Sequence, residues 1–149
     1  MSAAIATASS SFGRERRLRR RTDFLRVQGS PFRVTTRHHV LLVAVRPEPE
    51  PYMLPSRLGL VVTKKVGNAV ARNRTKRVLR ECFRLWPIPG MVPPGFDLVV
   101  IARAGADALS YREAVATLAK VGGLLLKRCQ EAREELAKSR RGPHVHAPP

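Results

Sequence analysis

Between Lys64 and Arg84 the chain packs eight Lys or Arg and a single Glu into 21 residues, yet it keeps the spacing of one buried helix face. Ala71, Thr75, Val78, Cys82 and Leu85 recur at alternating steps of four and three. At 100° per residue, Arg72, Asn73, Lys76, Arg77, Arg80 and Arg84 gather on a separate arc about 140° wide. Arg74 falls just outside it, at the edge of the apolar stripe. Two apolar runs of strand length bracket this helix, Leu58 to Thr63 and Phe96 to Ala102. A strand, a helix and a strand in that order make a βαβ unit. The fold is thereby constrained to seat one face of this helix on a sheet and to leave its charged face outside. Glu81 is the only internal counter-charge, and such self-repulsion is relieved when a phosphate partner is present.

The rest of the chain extends the same sheet. Val40 to Val45 is unbroken apolar sequence, as expected of a strand covered on both faces. A shorter strand is expected around Phe32 to Thr36. Pro47, Pro49, Pro51 and Pro55 mark an exposed loop. Arg14 to Arg21 holds six arginines and one Glu, and Thr22 is read as the N-cap of a short helix whose apolar face is Phe24 and Val27. Gly67-Asn68 turns the chain and Asn68 caps the basic helix, which must stop near Trp86 because Pro87, Pro89 and Gly90 follow. Ser110 to Glu113 is a capping-box pattern that opens a last helix towards Lys138, weakened at Gly122-Gly123. The fold class is α+β: a single-domain α–β sandwich of about four strands and three helices, in the order αβββαβα. Residues 1–13 are expected to be a disordered extension, 14–138 the single α–β domain, and 139–149 a loose tail.

The formal charge of +17, from 28 Lys and Arg against 11 Asp and Glu, points to nucleic acid first and an anionic membrane surface second. No apolar run approaches the roughly 20 residues that span a bilayer. The apolar part of the first eleven residues precedes the positive charges, the reverse of secretory order, while a Ser- and Arg-rich, acid-poor beginning also fits an organelle transit peptide; a cytoplasmic protein is the expectation. Cys82 and Cys129 lack metal-ligand spacing and read as small reduced core residues. Enzyme signatures are missing: there is no phosphate loop, no Gly-x-Ser-x-Gly and no close carboxylate pair. Glu131, Glu134 and Glu135 lie in a polar helix, and Glu48 and Glu50 in the Pro-rich loop; both groups read as solvated.

Asn68 and the first free N–H groups of the basic helix offer an anion site, with Lys64 and Lys65 beside it. Arg72, Asn73, Arg74, Lys76, Arg77 and Arg80 extend a positive ridge whose arginine forks suit phosphate oxygens. Phe24 is the best candidate for base stacking near a basic face. Charge alone fits a cofactor of an RNA enzyme and a ribosomal or RNA-chaperone protein equally well. The absence of a second recognition helix after a short turn argues against helix-turn-helix DNA binding. A protein-only nuclease would need carboxylates for metal, and none is suitably placed.

From Arg57 to Glu81 the sequence resembles the bacterial ribonuclease P protein subunit: Arg72-Asn73-Arg74, then Lys76, Arg77 and Arg80, is similar to that family's signature helix. Arg17 to Phe24, Phe96 to Arg103 and the final helix fit the same pattern, over roughly residues 14 to 130. The resemblance implies a left-handed βαβ crossover, against the usual hand. It implies a monomeric protein in a 1:1 ribonucleoprotein that removes 5′ leaders from precursor tRNA, with Mg²⁺ and the catalytic groups belonging to the RNA. The catalytic RNA and precursor tRNA are then the partners, with no membrane. The signature helix would contact the catalytic RNA. A cleft between the first helix and the sheet would hold the leader, lined by Phe24, Val27, Lys64 and Lys65. The chain departs from the family pattern at Gln28 and Leu42, where aromatics often line that cleft, so backbone and apolar contacts are expected there.

Overall fold

A computed structural model describes residues 13–85 and 91–145, with side chains to residue 140. Residues 1–12, 86–90 and 146–149 lie outside it, and with them most of the expected N-terminal extension and the stop at Trp86. Among the described residues, four strands form one mixed sheet in the order β1-β2-β4-β3. They are β1 (Arg33–Thr35), β2 (His39–Val45), β3 (Arg57–Val61) and β4 (Phe96–Ala102). β2 runs antiparallel to both β1 and β4, while β3 and β4 are parallel neighbours joined through the basic helix, α2 (Ala69–Leu85). The expected βαβ unit is therefore present.

The unbroken apolar character of β2 and β4 has its reason in two covered faces. Leu41, Val43, Leu98 and Val100 point into one core, shared with Leu79, Cys82 and Phe83 of α2 and with the two C-terminal helices. Leu42 and Val99 point the other way, into a smaller core with Leu18 and Val27, beneath α1 (Arg21–Gln28). Val27 is completely buried there, which stabilises the docked helix by about 1.5–3 kcal/mol. α1 starts two residues earlier than the sequence indicates: Arg20 is its N-cap, without a side-chain bond, and Thr22 lies inside the first turn.

The expected last helix is two. α3 (Tyr111–Lys120) begins with the full Ser110/Glu113 capping box, and α4 (Gly122–Val145) follows after a break at Val121. Two adjacent glycines each lower helix propensity by about 1 kcal/mol, so a bend here costs little. The bend lets Leu118 of α3 and Leu125 of α4 both reach the same core. α4 also continues past Lys138, so residues 139–145 of the expected tail are helical. Their predominantly polar sequence is compatible with a helix that extends beyond the core.

α2 is capped as expected, with the Ala71 N–H donating to Asn68 Oδ1 at 2.9 Å. Its buried face differs from the predicted stripe. Thr75, Leu79, Cys82 and Phe83 are buried, whereas Leu85 is 50% exposed. The face is thus rotated by about 65° from the Ala71–Leu85 stripe. Leu79 and Phe83 are the larger apolar side chains, and burying them outweighs burying Ala71 and Leu85. Cys82 and Cys129 are both free and buried, with their thiols pushed up to about 12 by burial.

Candidate nucleic-acid interface

The rotation of α2 redistributes its charges. Lys76 and Arg80 move to the flank facing the N-terminal segment, where they line a recess of about 150 Å³ with Arg17, Leu18, Phe24, Leu58 and Leu60. Burial, and then the neighbouring Arg17 charge, lower the Arg80 pKa, a sign that like charges are crowded there. Asn73 and Arg77 point outward and are exposed. Arg74 lies on the opposite flank and donates to the Asp107 carbonyl oxygen. Arg72 is half-buried, and Arg84 is bound to Glu81 by its Nε and Nη2 groups at 2.7–3.1 Å. The single predicted ridge is therefore an outward strip with two differently engaged flanks.

α1 lies across the opposite face of the sheet and divides it. Strand register defines three cross-strand rows on that face: Ala44–Asp97–Arg57, Leu42–Val99–Gly59 and Val40–Ile101–Val61. The middle row lies directly under α1. Phe24 rests on Gly59 so closely that a Cβ at that position would fall 2.7 Å from its ring. Glycine is required here by close approach, and Phe24 is half-buried as a packing residue.

The first row is closed by charge. Asp97 is fully buried and accepts from Arg57 through both carboxylate oxygens at 2.8 Å, and from Arg26 of α1. Arg26 also donates to the Val45 carbonyl at 3.0 Å and to Asp23 at 3.2 Å. The hydrogen bond to Asp97 raises the Arg57 pKa.

The third row is different. Val40, Ile101 and Val61 are each only half-buried and form an apolar strip beside α1. Next to it, Thr63, Lys64, Lys65, Ile101 and Arg103 line a recess of about 600 Å³. Arg103 is fixed by its Nη1 donating to the Thr36 carbonyl at 2.9 Å.

Of the residues expected to line a cleft, Lys64 and Lys65 are thus exposed at the open end, and Phe24 lines the recess on the β3 edge instead. Val27 cannot line a surface: it is completely buried under α1, because the helix docks through it. Leu42 is buried beside it, so the departure from an aromatic there is a matter of core packing. Val40, Val61, Ile101, Arg103 and Gly59 were missed by sequence reasoning. The half-buried status of the three apolar residues depends on where α1 docks, which their own sequence does not signal.

The sequence model of the family described as Ribonuclease P matches residues 12–129. The chain belongs to the ribonuclease P protein family. Among relatives, the ribonuclease P protein component of Syntrophobacter fumaroxidans is 45% identical over 104 residues, which cover 68% of this chain and 81% of that protein. The component from Geobacter sp. is 34% identical over 120 residues, 80% of this chain and 97% of the relative. The Staphylococcus aureus RNase P protein structure matches with a TM-score of 0.62 at 30% identity, covering 73% of this chain and 94% of that one. The Thermotoga maritima RNase P protein matches with a TM-score of 0.58 at 33% identity, covering 70% and 93%. This ribonuclease P protein is accordingly a subunit of an endoribonuclease holoenzyme, which implies RNA binding, tRNA processing and a partnership with the ribonuclease P RNA. No helix of the described residues is long and apolar enough to cross a membrane.

Proposed function

We propose that this protein binds the catalytic RNA through the exposed strip of α2 and holds the single-stranded 5′ leader of precursor tRNA along the Val40–Ile101–Val61 row. It thereby assists endonucleolytic removal of the leader to give the mature tRNA 5′ end. Arg72, Asn73, Arg74, Lys76, Arg77 and Arg80 are assigned to the catalytic RNA. Lys64, Lys65 and Arg103 are assigned to leader phosphates, with the apolar row against bases and Phe24 at the β3 edge. In this reading one copy of the protein joins one RNA.

The observation that carries this reading is the juxtaposition of two unlike surfaces on one small sheet. One is a strip of exposed cations on a capped helix; the other is an apolar strip with cations only at its rim. A purely electrostatic RNA chaperone would need the first and not the second. Phosphates bind the cations and give affinity that falls with salt, while unstacked bases of a single strand can lie on the apolar strip. The described residues bring together no group of three His, Cys, Asp or Glu side chains suited to a metal ion. The resemblance to the family assigns the Mg²⁺ of the reaction to the RNA, and no step is routed through a protein-bound ion.

Precursor tRNA cleavage at low Mg²⁺ with the matching catalytic RNA, with and without this protein, tests the reading. Stimulation that grows with leader length is expected. No stimulation overturns the reading, and so does cleavage by the protein alone.

A further inference from the structure

On the other side of α1 from the open row lies a recess of about 610 Å³ to which the proposed function assigns nothing. Six arginines line it: Arg14, Arg17, Arg19, Arg20, Arg46 and Arg57. Glu15, Asp23 and Glu48 are the only carboxylates on its wall. Two of them are engaged. Glu48 accepts from Arg46 through both oxygens at 3.1 and 3.2 Å. Asp23 accepts from Arg26 at 3.2 Å, with Arg57 3.9 Å away. Arg14, Arg19 and Arg20 are exposed and make no side-chain hydrogen bond or ion pair among the described residues.

A run of arginines at a chain end is ordinarily a solvated tail. This one is fastened to the domain. Leu18 is buried, and its N–H donates to the Leu58 carbonyl at 2.9 Å, alongside a parallel bridge from Arg17 to Leu58. Arg16 donates to the Ser56 carbonyl at 2.9 Å, and its guanidinium lies 5.1 Å from the centre of the Phe83 ring. The backbone therefore displays these arginines from a fixed edge of the sheet. Fixing like charges in proximity costs free energy that a bound polyanion recovers. Arg17 also lines the recess that holds Lys76 and Arg80 of α2, so the two basic surfaces are continuous around β3.

We propose that this recess is a second phosphate-binding surface, taking two or more consecutive phosphates of an RNA strand that continues from Lys76 and Arg80 past Arg17. Its volume exceeds what one phosphate fills, and its cations come from the N-terminal segment, the loop after β2 and β3. Guanidinium forks suit phosphate oxygens in this arrangement. The inference rests on the RNA-binding function proposed above and adds a surface to it. Because Lys76 and Arg80 are assigned to the catalytic RNA, the strand is taken to be that RNA's, and the experiment separates it from the precursor.

The full-length variant R14Q/R19Q/R20Q is titrated by fluorescence anisotropy against the catalytic RNA, leader-bearing precursor tRNA and mature tRNA, over a KCl series. Each lost phosphate contact removes about 0.7–0.9 from the log–log salt slope, so a slope shallower by about two and an affinity about tenfold lower at fixed salt are expected. The variant R14K/R19K/R20K should restore most of both. A loss confined to the catalytic RNA, or to the precursor relative to mature tRNA, supports the surface and identifies its strand. Equal loss on all three RNAs reduces it to general polyanion attraction and overturns it, as does no change on any. If the triple variant loses its cooperative melt by circular dichroism, Arg19→Gln alone, with an expected slope change just under one, separates the same outcomes. Wild-type protein that fails to stimulate cleavage would instead refute the function it rests on, whatever these titrations show.

Discussion

On one side of α1 the sheet face ends in Ala44, Asp97 and Arg57; on the other it ends in Val40, Ile101 and Val61. The same three strands supply both rows, four residues apart along each strand. At the first, a fully buried carboxylate and two arginines tie α1, β3 and β4 together. Replacing a buried ion pair with apolar packing is often neutral or stabilising, so its contribution here is to fix where α1 sits. At the second, half-buried apolar side chains stay open. His39, next to Val40 but pointing into the opposite core, is almost fully buried and its Nδ1 has no partner. The sealed end positions the helix; the open end is the surface that positioning leaves free.

The comparison can be broken first at its sealed end. Asp97→Ala strands two arginines around a buried gap and should cost about 3 kcal/mol by urea unfolding. A loss below about 1 kcal/mol would show that the ionic row does not hold α1. At the open end, burial and the nearby His38 charge hold His39 down to about 4, from an ordinary value of 6.5. Its folded pKa is depressed, so its stabilising contribution is full above pH 6.5 and is lost as pH falls towards 4. That loss is on the order of 3 kcal/mol. Unfolding measured from pH 7 to pH 4 should show it, and His39→Leu should flatten the curve; identical curves would refute the assignment.

Between the two ends, Gly59→Ala forces Phe24 off the sheet and should cost about 1–3 kcal/mol as overpacking. It should also weaken leader-dependent cleavage, whereas an unchanged melting temperature would mean that Phe24 yields freely. Ile101→Ser sharpens the contrast: about 1 kcal/mol of stability is expected to go, because the side chain is only half-buried. The KM advantage of a long leader over a short one should shrink several-fold while affinity for the catalytic RNA holds. The smallest stability effect belongs to Arg77→Ala on the outward strip, within about 0.5 kcal/mol. Its signature is a salt slope for the catalytic RNA lower by about one.

Much of the fold was legible because its signals are local. Asn68 and Ser110 cap their helices as read, since capping chemistry involves residues only three apart. The apolar runs in β2, β3 and β4 announced strands, and the lack of alternation in β2 announced two covered faces. Thr22 and the unbroken last helix were misread where weak local preferences compete: helical turns begin at Arg21, and the helix expected only to weaken at Gly122-Gly123 breaks at Val121, just before them. In the site, the cations of α2 were legible as a set, but their division among three directions was not. That division depends on Leu79 and Phe83 reaching the core, a long-range preference that the four-and-three stripe does not contain. Val27 illustrates the same gap: an apolar residue on a short helix reads alike whether it lines a cleft or seals a core.

The sequence by itself determined a basic, capped helix between two parallel strands, an arginine-rich lead-in and the family to which they belong. Periodicity, capping and charge are written within a few residues of one another. Only the tertiary structure decided which cations face outward, which apolar row stays open, and that Asp97 is shared by Arg26 and Arg57. Those outcomes follow from strand register and from where α1 docks, and both are set by contacts between segments tens of residues apart.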